Sequence, residues 1–128
     1  ILSEELKPEE LVLVASTSEG FRGRKPLNIL CIEPSSATWK AVKGEVVQRN
    51  LRPQIEMESF FSIGQLAKAG HGIGLVPIGV ARALGFKEKC MNHLKPKIFR
   101  PIQVVYKKSK LERPYFRELI DELRNTLG

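Results

Sequence analysis

Two short clusters of hydroxyl side chains could hold a ligand. Ser35, Ser36 and Thr38 follow the apolar run Ile29-Leu30-Cys31-Ile32, and Ser59 and Ser62, with Phe60 between them, follow the extended segment Gln54 to Met57. Each cluster opens a stretch whose apolar residues recur at helical spacing, so each falls at a helix N-terminus. There the first backbone N–H groups lack intrahelical partners and the helix dipole leaves a partial positive charge, a setting that suits carboxylate or phosphate. Ser and Thr at such positions also cap helices by accepting one of those N–H groups. Two roles are therefore open for these hydroxyls, ligand contact and capping. Phe60 either faces a ligand or joins the core at helical spacing. Glu33, Glu56 and Glu58 lie beside the same helix starts. Any of them turned toward a ligand favours an amine or a hydroxyl over an anion.

Catalytic constellations are not apparent. Asp121 is the sole Asp, and His71 and His93 are far apart with no Cys, His or carboxylate at metal-ligand spacing. The chain carries neither a GxSxG elbow nor a phosphate-binding loop of the GxxxxGK type. The expectation is a binding module rather than an enzyme, with no cofactor and no metal. Gly70, Gly72 and Gly74 come after a helix and before a strand, the reverse of the dinucleotide fingerprint, which excludes NAD on that order. His71 sits in the glycine turn and reads as an exposed turn residue.

The chain has 128 residues, enough for one core of ordinary size, with 42% hydrophobic and 27% charged residues. No apolar run approaches the length of a membrane span, and the first residues are not a secretory signal. Ile1 stands where an initiator Met would, so a fragment is expected. Cys31 and Cys90 do not make a disulfide framework. Cys31, inside an apolar run, reads as a reduced core residue, which fits the cytoplasm. The net charge of +7 is spread over scattered Lys and Arg with small clusters at Arg22-Arg24-Lys25 and Lys107-Lys108-Lys110. It suggests an anionic ligand or a polyanion, or only a solvated basic surface. No basic helix or base-stacking motif accompanies it.

The elements that must position the hydroxyls follow from apolar periodicity. Leu11 to Ala15 and Ile29 to Ile32 are continuous apolar runs of strand length, separated by a polar, basic loop from Ser16 to Pro26. Trp39, Val42 and Val46 mark the buried stripe of a helix ending near Asn50. Arg52-Pro53 resets the chain to extended, so a third strand is placed at Gln54 to Met57. A helix from Ser59 ends at Gly70, where a left-handed residue is expected. Ile73 to Val76 is a strand, and Pro77 to Leu84 a short helix. Ile102, Val104 and Tyr106 alternate on a strand. Pro114 opens a last helix with the stripe Phe116, Leu119, Ile120, Leu123 and Leu127. Strands alternating with helices predict an α/β fold, with a mostly parallel sheet covered by helices on both faces.

The stretch from Ser59 through Ala69-Gly70-His71-Gly72-Ile73-Gly74-Leu75-Val76-Pro77 resembles the effector-binding domain of LysR-type transcriptional regulators, in which a helix runs into such a turn and strand at the mouth of a small-molecule cleft. The resemblance covers nearly the whole chain. It implies a Rossmann-like, periplasmic-binding-protein-like second subdomain over residues 16–97. Residues 1–15 and 98–128 would supply crossover strands and part of the first subdomain. The family's domain opens with about 70–80 further residues of the first subdomain, after a winged helix-turn-helix. By carry-over, the loop from Pro34 to Thr38 holds an effector through Ser35 and Ser36, opposite Ser59 and Phe60. The implied function is sensing of a small polar metabolite, with self-association, DNA reached through the separate helix-turn-helix, and no membrane. A solute-binding protein of a transporter, which has the related fold, is the alternative.

Overall fold

The computed structural model describes residues 2–106 and 114–127. In chain order the elements are β1 (Leu2–Val14), β2 (Leu27–Ile32), α1 (Ala37–Gln48), β3 (Leu51–Met57), α2 (Phe60–Lys68), β4 (Ile73–Pro77), α3 (Ile78–Ala83), β5 (Met91–Asn92), β6 (Ile98–Tyr106) and α4 (Pro114–Leu127). Short 3-10 turns occupy Ser18–Arg22 and Glu88–Cys90. The chain divides into a larger compact unit, Glu10–Phe99, and a smaller one built from the residues before Glu10 and from Arg100 onward.

Among the described residues the sheet has six strands. Five run in the order β3-β2-β4-β1-β5, and β6 pairs with β1. β2 is parallel to both β3 and β4, while β1 is antiparallel to β4 and β5. The three expected parallel strands are thus present, with β1 and β5 extending them on one side. No described helix is long and apolar enough to cross a membrane.

In the larger unit both sheet faces are buried, and the side-chain alternation of the strands sorts them into two cores. Leu11, Leu13, Leu27, Ile29 and Cys31 face the α1 side with Val42 and Val46. Val12, Val14, Leu30 and Ile32 face the α2 side with Ile63, Ala67 and Ala81. The continuous apolar runs exist because neither face may carry a polar residue.

Two expectations are corrected. The third strand begins at Leu51, not Gln54, and runs through Pro53. β3 lies at the sheet edge and its register slips opposite Ile29/Leu30, so a residue without an N–H is tolerated there. The first strand is also far longer than Leu11 to Ala15, starting at Leu2. Its polar first half, continuous with the apolar part, hides the strand from a hydrophobicity reading. On α4, Ile120 is buried, whereas Leu119 and Leu123 are exposed. The side chains of Phe116 and Leu127, and those of Val104 and Tyr106 on β6, lie outside the described residues.

The glycines of the turn after α2 do different jobs. Gly70 has φ +89°, and the N–H groups of Gly70 and His71 donate to the carbonyls of Ala67 and Leu66, each at 3.0 Å. This is the paired hydrogen-bond pattern that ends a helix on a left-handed residue. Gly74 instead admits α2 onto β4: a Cβ there would meet Ile63 Cγ2 at 2.7 Å and Ala67 Cβ at 3.4 Å.

Glu10, on β1, is bound from the segment after β5. His93 Nδ1 lies 2.9 Å from Glu10 Oε2 and His93 Nε2 lies 3.2 Å from Glu88 Oε2. Lys97 Nζ is 3.9 Å from Glu10 Oε1. The hydrogen bonds to Glu10, then to Glu88, raise the His93 pKa above its ordinary 6.5.

Gly74→Ala should destabilise the chain by about 1–3 kcal/mol, the usual cost of overpacking, read by urea unfolding. A loss under ~0.5 kcal/mol would mean that α2 shifts off β4 without penalty. The raised His93 pKa has a definite sign. The folded chain holds this proton more tightly than the unfolded one, so the contribution is complete below pH 6.5 and fades as pH rises through the folded pKa. Proton NMR titration should place His93 above 6.5, and Glu10→Gln should lower it. An unchanged titration in Glu10→Gln would show that this pair does not set the shift.

Candidate functional site

β2 and β3 end side by side, with Ile32 opposite Met57. The N–H of Glu33 donates to the Met57 carbonyl at 2.9 Å, holding the two exits together. From this shared edge the chain diverges. α1 turns onto the face of Val42 and Val46, and α2 onto the opposite face with Ile63 and Ala67. Two helix N-termini therefore flank the carboxyl ends of β2 and β3, the place where sheets of this type bind ligands. β4 ends at the same edge with Pro77, but α3 behind it is only six residues long.

The hydroxyls separate by what they already bond. Ser36 caps α1, its Oγ accepting the Trp39 N–H at 3.0 Å. Ser59 caps α2, accepting the Ser62 N–H at 3.4 Å. The exposed Ser35 donates its Oγ–H to Glu33 Oε1 at 3.0 Å. The half-buried hydroxyls of Thr38 and Ser62 have no hydrogen-bond partner among the described residues. The edge thus brings all five hydroxyl residues to two adjacent helix starts, with two hydroxyls uncommitted. Glu56 and Glu58 are exposed.

Phe60 is half-buried and packs against the α2-side core. Its neighbour Phe61 is the outward ring, 50% exposed. Trp39, which helical spacing alone assigns to the core, contacts both cores while staying half-exposed in the first turn of α1. Trp39 and Phe61 are the apolar groups at this edge that the sequence does not mark as site residues. The signal for Phe61 lay only in the helical phase of two adjacent Phe residues.

Cys31 is buried in the core, and burial, then the charge of Glu56, pushes its thiol pKa up to about 11. Cys90 is also a buried free thiol. His71 is exposed in the glycine turn, as expected. No group of three or more potential ligands for a metal ion exists among the described residues.

Residues 1–128 match a family model described as the LysR substrate binding domain. No curated protein matches the chain. Among solved structures, it is similar to CbnR, a LysR family transcriptional regulator, at 17% identity and TM-score 0.64, covering 99% of this chain and 48% of that one. It is similar to the Synechocystis PCC6803 CcmR regulatory domain in complex with 2-PG, at 17% identity and TM-score 0.62, covering 99% and 67%. It is also similar to the regulatory domain of MexT, a transcriptional activator in Pseudomonas aeruginosa, at 14% identity and TM-score 0.64, covering 97% and 66%. The chain thus spans about half of the CbnR chain and about two thirds of the other two.

Removing the cap oxygens should cost stability whatever else they do. Ser36→Ala and Ser59→Ala should each lower unfolding free energy by about 1 kcal/mol, with the larger loss at Ser36, whose bond is shorter. Denaturant unfolding checks this. Equal wild-type stability in both variants would mean the caps are dispensable.

Proposed function

The chain belongs to the LysR substrate binding domain family, and from that premise we propose that it is the effector-sensing part of a LysR-type regulator. It binds a small polar, anion-bearing metabolite and catalyses no reaction. The observation that carries this reading is the pair of helix N-termini beside the carboxyl ends of β2 and β3, with the Thr38 and Ser62 hydroxyls uncommitted there. Unpaired N–H groups and a positive dipole end favour carboxylate or phosphate. A similar regulatory domain is solved with 2-PG, 2-phosphoglycolate, which carries both groups.

On this reading residues 16–97 are the second subdomain, and residues 1–15 and 98–128 are crossover strands and part of the first. Ser35, Ser36, Thr38, Ser59, Phe60 and Ser62 line one side of the effector site. Trp39 and Phe61 add apolar surface beside it. Sequence-specific reading of DNA falls to a separate helix-turn-helix, and the protein works in the cytoplasm. Self-association is part of the proposal, supported by Leu119 and Leu123, exposed one turn apart on α4.

The test is a calorimetric screen of small anions, 2-PG and simple dicarboxylates among them, against the parent protein. The hit is then titrated into Thr38→Val with Ser62→Ala. Removing two hydrogen bonds to a charged ligand should weaken binding about ten- to a hundredfold, with the melting temperature unchanged, because neither hydroxyl caps its helix. Unchanged affinity in that double variant would move the binding surface away from these helix starts.

A further inference from the structure

The larger unit is electrically polarised along its strands. At the edge where β2 and β3 end stand Glu33 and Glu58, and Glu10, within β1, comes just before Leu11, which pairs with Pro77 there. At the opposite edge, cations precede strand after strand. Arg24 and Lys25 come before β2, Lys68 closes α2 ahead of β4, and Lys87 and Lys89 come before β5. β1 ends at this edge too and leads into the loop that carries Arg22.

Most of the nearby carboxylates are already engaged. Glu88 bonds His93, and Glu45 lies 4.0 Å from Arg49. Arg49 is itself committed to the carbonyls of Glu45, Pro96 and Lys97. Glu19 is the remaining exposed acid, in the loop with Arg22. Arg24, Lys25, Lys87 and Lys89 are exposed and have no ion-pair partner among the described residues. The edge is also concave. One cavity of about 610 Å³ is lined by Lys25, Arg49, His93 and Lys95 together with Glu45, and a second of about 330 Å³ by Lys68, Lys87 and Lys89.

We propose that this amino-end edge of the sheet is a contact surface for the phosphate backbone of duplex DNA, independent of base sequence. The row from β2 through β4 and β1 to β5 crosses three strand spacings, about 14 Å. Duplex DNA carries one negative charge per ~1.7 Å of axis, so that length faces a dense row of phosphates. The aromatic rings near this edge, Phe21 and Phe86, are partly buried against the two cores, Phe86 also lining the second cavity, rather than set out in a row as the stacking platforms of single-strand binders are. The contact adds to base reading by a separate domain, and it stands whether or not the effector site is where we place it.

The test is fluorescence anisotropy of the 128-residue chain with a labelled duplex of arbitrary sequence between 50 and 200 mM KCl. Lys87→Glu with Lys89→Glu should weaken binding at least tenfold at low salt and lower the salt slope by about 2, roughly 0.9 for each phosphate no longer neutralised. Lys40→Glu with Lys43→Glu, on exposed positions of α1, makes the same change in net charge and should alter binding less than about threefold, because binding follows local phosphate pairing. Circular dichroism monitors folding, and Arg24→Ala with Lys25→Ala serves as the second edge variant. Three outcomes overturn the proposal: no binding at 50 mM salt, equal weakening in the edge and α1 variants, or polyglutamate displacing the duplex at matched charge, which would indicate an acidic protein partner.

Discussion

The larger unit is organised by the requirement that β1, β2 and β4 be covered on both faces. A half-polar strand could leave one face to water. Runs such as Leu11 to Ala15 and Leu27 to Ile32, polar only at Asn28, cannot, and their alternating side chains feed two separate cores. Helical cover on both faces is the consequence, α1 on one and α2 with α3 on the other. Because the strands before α1 and α2 are adjacent and parallel, the two helices must start at the same edge and depart to opposite sides. The convergence of their N-termini follows from burial, and the hydroxyl residues at both helix starts stand in a place that the packing created.

Local devices at both ends of the helices serve capping and packing. Ser36 and Ser59 stop the backbone from being orphaned where each helix begins. That leaves Thr38 and Ser62, one turn or less further on, without internal partners. At the far end of α2, Gly70 closes the helix and Gly74 lets it sit against β4. In the glycine-rich turn that resembles the family's signature, Gly70 and Gly74 thus serve helix termination and close packing.

The two edges differ in charge for a related reason. The strand segments that feed the two cores are apolar, so the larger unit's cations stand mostly before and after them. Cations outnumber carboxylates at the amino-end edge, where Glu19, Glu45 and Glu88 stand among them. Where opposite charges do meet, as at Glu10, His93 and Glu88 or at Glu9 and Arg100, 2.7 Å apart, they tie β1 to the segment from β5 into β6.

By itself the sequence determined the class of fold, the three parallel strands, both capped helix starts and the glycine turn, because each rests on local periodicity or a local backbone requirement. Val42 and Val46, Ser36 and Ser59, and Gly70 are legible for that reason. Tertiary structure alone decided what depends on neighbours distant in the chain. Pro53 belongs to a strand only because that strand is the edge of the sheet. Trp39 touches two cores only because α1 begins where both faces end. Phe61 rather than Phe60 faces outward because the core beneath α2 sets its rotation. Glu10 finds His93 across 83 positions, and cations scattered through the sequence line one edge because strand direction, which no local pattern encodes, brings their positions together.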